Sequence, residues 1–334
     1  MAKRKTKKST SNKFLTYLAW TLAVIALSLS SLVGGYYIGY KDAKSDIEKQ
    51  TNIDKKKRLS MLQKLEKSTS KKDKQSVNTR LKSVLKKERK VDVGAASHEY
   101  SNGSIPKPPA APKRDIIRSS SKPKLAIIID DVSVRSHVNA IKSLGIPLTM
   151  SFLPPSKFRP NSAKLAAKES FYMVHLPMEA QNFNAEEPMT LRISDSDAKI
   201  SQRIKEIKKA FPRVAYINNH TGSKFTSNEL AMNRLIYALK SQDISFIDSR
   251  TTAKTTAPKV MKNFGLSYVA RDVFLDHAID KASITTQIKR AIKIAKLHGT
   301  AIAIGHPHAN TLLALHESKK LFNDVELVYV NRLY

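Results

Sequence analysis

The sequence predicts a parallel α/β fold, an irregular (β/α) barrel, preceded by a transmembrane helix and a basic linker. Residues 14–40 contain no charged side chain, residues 41–123 are rich in lysine, and residues 124–334 alternate short apolar runs with helical patterns. Strands that alternate with helices over about 210 residues are typical of a parallel sheet or barrel with its helices on the outside. The predicted organisation is therefore a basic tail (1–13), a membrane anchor (14–40), a linker (41–123) and one large domain (124–334).

The segment 14–40 is long enough to cross a bilayer, because a helix of this length spans roughly 40 Å. Six basic residues lie before it, whereas acidic residues mix with the lysines that follow it. The positive-inside rule predicts a single-pass anchor in the inner (cytoplasmic) membrane, with a cytoplasmic N-terminus and a periplasmic or other extracytoplasmic C-terminal domain. Cleavage as a signal peptide near residues 28–35 is the alternative, although signal peptides usually have shorter apolar cores.

The formal net charge is +31 over 334 residues, and most of the basic excess lies before residue 125. The lysine-rich stretch 41–123, with serine and proline in its second part, has the composition of a flexible linker. Such charge favours anionic lipid, a cell-wall polymer or nucleic acid as a partner. Its concentration beside a membrane segment argues against nucleic acid, and no protein partner is indicated. The chain has no cysteine, which excludes disulfides and thiolate metal sites.

Seven apolar runs between Leu125 and His308 are each followed at once by a short cluster, which is polar in six of the seven cases. The endings are, in order, Asp130-Asp131, Leu153-Pro154-Pro155, His175 to Glu179, Asn218-Asn219-His220, Asp248-Ser249-Arg250, Arg271-Asp272 and Gly305 to His308. Helical patterns follow at 134–144, 160–168, 195–210, 227–242, 252–264, 281–297 and 310–322, and 325–330 predicts an eighth strand. Because the carboxyl ends of parallel strands share one rim, these endings predict a single catalytic or binding face.

Two adjacent carboxylates, Asp130 and Asp131, end the first strand and repel each other unless a cation or a proton intervenes. Neighbouring side chains of a strand point to opposite faces, so we expect one acid to face the site and the other to turn aside. A metal ligand beside a general base fits this pair. A helix-capping aspartate beside an exposed one is the structural alternative.

Histidines end three further runs. His175 and His220 with one aspartate oxygen would form the donor set of a catalytic zinc site, so we predict a divalent metal, with zinc as its identity. His306 fits a general acid that protonates a leaving group. No Walker or dinucleotide-binding motif is present.

Further charged residues lie at the same rim. Asp248, Arg250 and Arg271 could orient an acid through a bidentate arginine pair, or could close the barrel mouth as buried ion pairs. Asp130, Asp248 and Glu179 could also supply paired carboxylates for glycoside hydrolysis. The histidine-rich rim favours metal-assisted amide hydrolysis instead.

At these motifs the chain resembles the divergent polysaccharide deacetylases. IIIDD, HLPME, NNHTGS, FIDSRTT, RDVFLD and AIGHP occur in that family's order over residues 124–333. The resemblance implies a deformed (β/α) barrel of the glycoside hydrolase/deacetylase type. It also implies Asp130 as catalytic base and Asp131 as metal ligand. In the Asn219-His220 pair it implies His220 as a ligand, and it implies His306 as general acid.

One position departs from the larger deacetylase superfamily. Its better-known members have a second histidine four residues after the first, where this chain has Lys224. Our hypothesis is that His175 supplies the missing nitrogen from the neighbouring strand end. The sequence thus predicts a membrane-tethered, metal-dependent deacetylase of an N-acetylated envelope polysaccharide such as a peptidoglycan-like glycan. The alternative is a catalytically inactive barrel that binds glycan or organises an envelope complex.

Overall fold

The computed structural model describes Trp20, residues 122–183 and residues 186–333. Apart from Trp20, the predicted basic tail and membrane anchor lie outside the described residues, as does the predicted linker up to residue 121. Within the described ranges, no helix combines the length and the apolar character that a bilayer crossing requires.

In the part of the chain that the structure describes, eight parallel strands form one curled sheet. They are β1 (Lys124–Val132), β2 (Thr149–Phe152), β3 (Met173–Met178), β4 (Tyr216–Thr221), β5 (Ser245–Ile247), β6 (Val273–Phe274), β7 (Thr300–Gly305) and β8 (Glu326–Val328). Their order is β5-β4-β3-β2-β1-β7-β6, and β8 pairs with the first residues of β1. Beyond β5, Asp248 pairs with Ala270 in an isolated parallel bridge, so the two edges of the sheet meet there. The predicted parallel α/β class is confirmed.

Helices connect successive strands. They are α1 (Arg135–Ser143), α2 (Ser162–Ala166), α3 (Asp197–Ala210), α4 (Ser223–Thr226), α5 (Glu229–Lys240), α6 (Ala257–Asn263), α7 (Lys281–His298) and α8 (Ala309–Glu317), with 3-10 helices at Lys319–Asp324 and Val330–Arg332. Side-chain oxygens of Ser196, Asn228 and Asp280 accept backbone N–H bonds and cap α3, α5 and α7. The short helix α4, directly after β4, has no counterpart among the predicted helices.

The sheet separates two apolar clusters. The larger one packs one face of the strands against the helices. The smaller one fills the inside of the curled sheet and consists of Ala126, Ile128, Met173, Ile247, Ile302, Ile304, Val328 and Val330. Since every second residue of a strand shares a face, the inward side chain that follows Ile128 is Asp130, and the one that follows Ile304 is His306. The interior therefore changes from apolar to polar towards the carboxyl ends of the strands.

A layer of buried polar side chains lies directly above the small apolar cluster. Its members are Asp130, Ser151, His175, Asn218, Ser249 and His306. The strand register fixes their neighbours, because His175 pairs with Asn218, and Asn218 pairs with Ile247, which precedes Ser249 by two residues. Side chains from six chain segments that are distant in sequence thus share one inner face.

Candidate active site and metal centre

An irregularity in β1 turns both aspartates towards the same histidine. Ile129 pairs with Met150 and Val132 pairs with Phe152, so β1 uses three residues where β2 uses two. Within this interval Asp131 has a left-handed backbone with φ 56°, and an extra residue of this kind redirects a side chain. Oδ2 of Asp130 lies 3.6 Å from Nδ1 of His175, and Oδ1 of Asp131 lies 3.6 Å from Nε2 of His175. The expectation that one aspartate turns aside is therefore wrong.

Asp131, His175 and His220 form a donor group. Each offers one ligand atom, and the three atoms lie within 4.8 Å of one another. Oδ1 of Asp131 is buried and lies 3.0 Å from Nδ1 of His220 and 3.6 Å from Nε2 of His175. A buried carboxylate oxygen needs a donor or a cation as its partner. One carboxylate and two imidazoles are also the protein ligands of a recurring catalytic zinc site. These residues fit a divalent cation.

The charges of Asp131 and His175 suit ligation, whereas His220 would have to release a proton to bind a metal. Burial raises the pKa of Asp131, but His220, His306 and His175 outweigh it and hold that pKa well below its usual range. Burial, together with His220, lowers the pKa of His175 well below its ordinary value, which leaves the imidazole neutral. Burial lowers the pKa of His220, but Asp131 outweighs it and raises that pKa above its ordinary value. Since a carboxylate and a neutral imidazole are the forms that bind metals, binding would displace a proton from His220.

Lys224 lies outside the donor group. Its Nζ donates to Oε1 of Glu179 at 2.8 Å, and the backbone N–H groups of Lys224 and Phe225 donate to the carbonyl oxygen of Glu179. The second carboxylate oxygen of Glu179 accepts from the backbone N–H of Ile193 at 2.9 Å. Lys224 and Glu179 therefore tie α4 to the segment after β3. Glu179, a suggested carboxylate for glycoside hydrolysis, is occupied by these contacts.

Asp130 lies beside the donor group with a different electrostatic environment. It is 1% exposed, and burial raises its pKa to about 7 against the lowering effects of His306 and of a hydrogen bond from Asn218. Nδ2 of Asn218 donates to both carboxylate oxygens at 2.9 Å. A carboxyl whose pKa is near neutrality can accept and release a proton at pH 7, as a general base must.

His306 pairs with a buried acid, Asp276. Nδ1 of His306 is 3.0 Å from Oδ1 of Asp276, while the backbone N–H of His306 and the hydroxyl of Thr311 donate to Oδ2 at 2.6 and 2.8 Å. Burial would lower the pKa of His306, but Asp276, with smaller contributions from Asp131 and Asp130, raises it to about 9. His306 thus carries a proton at neutral pH.

His308 completes a second group of potential ligands with Asp276 and His306, again within 4.8 Å. Both oxygens of Asp276 already lie within hydrogen-bond distance of groups on His306 and Thr311. A cation would have to displace these contacts. The geometry therefore favours a His–Asp pair over a second metal centre at this position.

The charge of Asp276 has a measurable consequence. In metal-free protein we expect His306 to titrate near pH 9 and Asp276→Asn to move its midpoint markedly down. The pKa of His306 in the folded protein lies above its ordinary value. The His306–Asp276 pair therefore stabilises the fold fully below about pH 6.5, and this stabilisation is lost as the pH rises through about 9. NMR titration of the imidazole Cε1 proton measures the midpoint. Thr311→Val, which keeps the charge of Asp276, is the control, and a wild-type midpoint near 6.5 would contradict the pairing.

Asp248, Arg250 and Arg271 lie where the two sheet edges meet. Asp248 accepts from the backbone N–H of Arg250 at 2.7 Å and from the hydroxyls of Thr255 and Tyr268 at 2.8 and 2.9 Å. Nε of Arg271 donates to the carbonyl of Ser249 at 2.7 Å, and its Nη2 donates to the carbonyl of Arg250 at 2.9 Å. These contacts favour a bracing role for Asp248 and Arg271 over the orientation of a catalytic acid.

Of the adjacent asparagines, Asn218 reaches the site and Asn219 does not. Asn219 accepts from the backbone N–H of Ser249 at 2.8 Å and donates to the carbonyl of Thr221 at 2.7 Å, so it fastens the end of β4 to the segment after β5. Asn218 precedes His220 by two residues and shares its strand face. That spacing is the sequence signal that identifies Asn218 as a site residue.

Asp276 was also missed, and β6 explains why. The apolar run LSYVA ends at Ala270, which led to Arg271 and Asp272 as the polar ending. The strand is Val273–Phe274, so the ending that corresponds to the other strands is Asp276. The second apolar run, VFL, followed at once by an acid, was the available signal.

Comparisons with known proteins identify the family. The model of the divergent polysaccharide deacetylases matches residues 127–334. The chain is 35% identical over 216 residues to the uncharacterized protein YibQ of Escherichia coli, which covers 63% of this chain and 67% of that protein. It is 32% identical over 219 residues to an uncharacterized protein of Haemophilus influenzae, with 65% and 78% covered. The crystal structure of the uncharacterized protein ATU2773 from Agrobacterium tumefaciens shares the fold, with a TM-score of 0.56 at 18% identity, and 66% of this chain and 93% of that one are covered. The chain belongs to the divergent polysaccharide deacetylase family.

Proposed function

We propose that this protein is a metal-dependent deacetylase that hydrolyses the amide bond of N-acetylated sugars in an envelope polysaccharide, such as a peptidoglycan-like glycan. The main support is one arrangement at the carboxyl rim of the sheet. A donor group of one aspartate and two histidines lies there with a buried carboxyl of pKa about 7 and a histidine of pKa about 9. Family membership supports the substrate class.

Asp131, His175 and His220 would hold the ion, and zinc suits their ligand types. The chemistry that such an ion supplies is polarisation of a carbonyl oxygen and a lowering of the pKa of water to about 7. The protein contributes a carboxylate on β1 and two imidazoles on the neighbouring strands β3 and β4. The positive charge would also offset the repulsion between the adjacent carboxylates of Asp130 and Asp131.

The proton transfers belong to two other residues of the chain. Asp130 is placed to accept a proton from the attacking water, because its raised pKa makes it a stronger base than an ordinary carboxylate. His306 holds a proton at neutral pH and is placed to deliver it to the nitrogen that leaves as the sugar amine. Water adds to the carbonyl carbon, the C–N bond breaks, and the products are acetate and a free amine.

The same proposal places the domain outside the cytoplasmic membrane. The predicted anchor over 14–40 would tether it, and the linker over 41–123 would let it reach a glycan at a distance from the bilayer. Removal of acetyl groups would expose amines and make the glycan more cationic. This part of the proposal rests on the sequence pattern alone.

The decisive experiment incubates zinc-loaded protein with N-acetylated glycans and measures acetate and new reducing ends. We expect acetate release that stops when a chelator removes the metal. New reducing ends without acetate would favour glycoside hydrolysis. Saturable glycan binding without either product would favour the inactive, glycan-binding alternative.

A further inference from the structure

Asn218 occupies the centre of the buried polar layer. The residue is fully buried within β4, and its side-chain amide contacts side chains from four other segments of the chain. The partners are Asp130 on β1, Ser151 on β2, His175 on β3 and Ser249 after β5. An amide can donate two hydrogen bonds and accept two, so this set uses its full capacity.

The two oxygens of Asp130 fix which way the amide points. Nδ2 of Asn218 lies 2.9 Å from each carboxylate oxygen of Asp130 and 2.9 Å from the hydroxyl of Ser249. The reversed orientation would place the amide oxygen against both oxygens of Asp130, and a carboxyl group carries at most one hydrogen, so at least one oxygen would face it without a donor. Oδ1 of Asn218 must therefore face the opposite side of the site.

On that side Oδ1 determines where His175 carries its hydrogen. Oδ1 accepts from the hydroxyl of Ser151 at 2.6 Å and lies 3.2 Å from Nδ1 of His175. Because a carbonyl oxygen only accepts, Nδ1 of His175 must be the protonated nitrogen. In a neutral imidazole the lone pair then resides on Nε2, the atom that lies 3.6 Å from Oδ1 of Asp131.

We propose that Asn218 is a positioning residue, which selects Nε2 of His175 as the metal-binding nitrogen and at the same time holds Asp130 apart as the base. One amide would thus couple the ligand shell to the proton acceptor. The inference rests on the proposed function for the identity of the base, whereas the hydrogen position on His175 is independent of any activity.

The test uses the full-length protein with ¹⁵N-labelled histidine. NMR of the metal-free wild type is expected to show His175 protonated at Nδ1 and unprotonated at Nε2. Asn218→Leu removes the acceptor at similar volume, and we expect the Nε2-protonated form to appear and zinc affinity to fall by about 10–100-fold, the usual cost of losing a hydrogen-bond partner of a ligand. Ser249→Ala is the matched control, since it removes a contact of Nδ2 and leaves Oδ1 intact. It should change neither the hydrogen position nor the affinity.

Two results would overturn the inference. One is an Nε2-protonated His175 in the wild type, a measurement that does not depend on how any variant folds. The other is unchanged zinc affinity in a folded Asn218→Leu protein. Zinc binding and hydrogen position as expected, but no acetate release from any glycan, would refute the proposed function and leave the role of Asn218 standing. Acetate release by a protein in which His175 is protonated at Nε2 would refute the role of Asn218 and leave the proposed function standing.

Discussion

Asp130→Asn is expected to reduce acetate release by about 10²–10⁴-fold, the usual contribution of a positioned general base, while bound zinc is retained. Asparagine has nearly the same shape but cannot accept the proton of water. Asp130 is also not one of the three residues of the donor group, so its charge is not needed to complete that group. Turnover on an acetylated glycan and the zinc content of the same sample measure the two effects together.

Asp248→Asn is the matched control for this variant. Asp248 is likewise a fully buried aspartate near the rim, but its carboxylate accepts from Arg250, Thr255 and Tyr268 rather than facing the donor group. We expect Asp248→Asn to lower the thermal midpoint more than it lowers turnover. Wild-type activity in Asp130→Asn would exclude Asp130 as the base, and loss of zinc would make it a ligand instead.

His175→Ala is expected to lower zinc affinity by more than the roughly 10–100-fold that is usual when only a hydrogen-bond partner of a metal ligand is lost. The variant removes one of only two imidazoles in the donor group. Lys224→His, in contrast, should not raise the affinity, because side chain 224 is directed to Glu179 and is 43% exposed. Calorimetric zinc titration of both variants measures the difference.

His316→Ala, on α8 and outside the donor group, controls for the loss of any histidine. Full zinc retention in His175→Ala would remove His175 from the site. A tighter site in Lys224→His would show instead that the spacing of the better-known deacetylases still defines the metal centre here.

Much of the fold could be predicted from the sequence because burial on both faces leaves a simple pattern. β1 and β7 are largely apolar runs that led to Asp130 and His306, and a shorter apolar run leads to His175 within β3. The prediction of a single catalytic or binding face followed from the rim that the carboxyl ends of parallel strands share. The structure places these residues in one polar layer.

The site departs from its prediction where long-range contacts override local rules. Asp131 adopts a left-handed backbone that strand alternation does not anticipate, and pairing with β2 imposes the extra residue. β6 has only two residues and too short an apolar run to stand out from the preceding LSYVA, which hid Asp276. The amide of Asn218 likewise acquires its partners only when four distant segments come together.

The single bridge between Asp248 and Ala270 has a consequence for association between molecules. β5 and β6 have three and two residues, and an open edge of this kind exposes N–H and C=O groups that can pair with another chain. Here the edges cover each other, with the backbone N–H groups of Asp248 and Arg271 bonded across the seam. We therefore expect the segments around Arg271 and Asp248 to limit edge-to-edge association between molecules, so that solubility as well as folding stability depends on the residues that close the sheet.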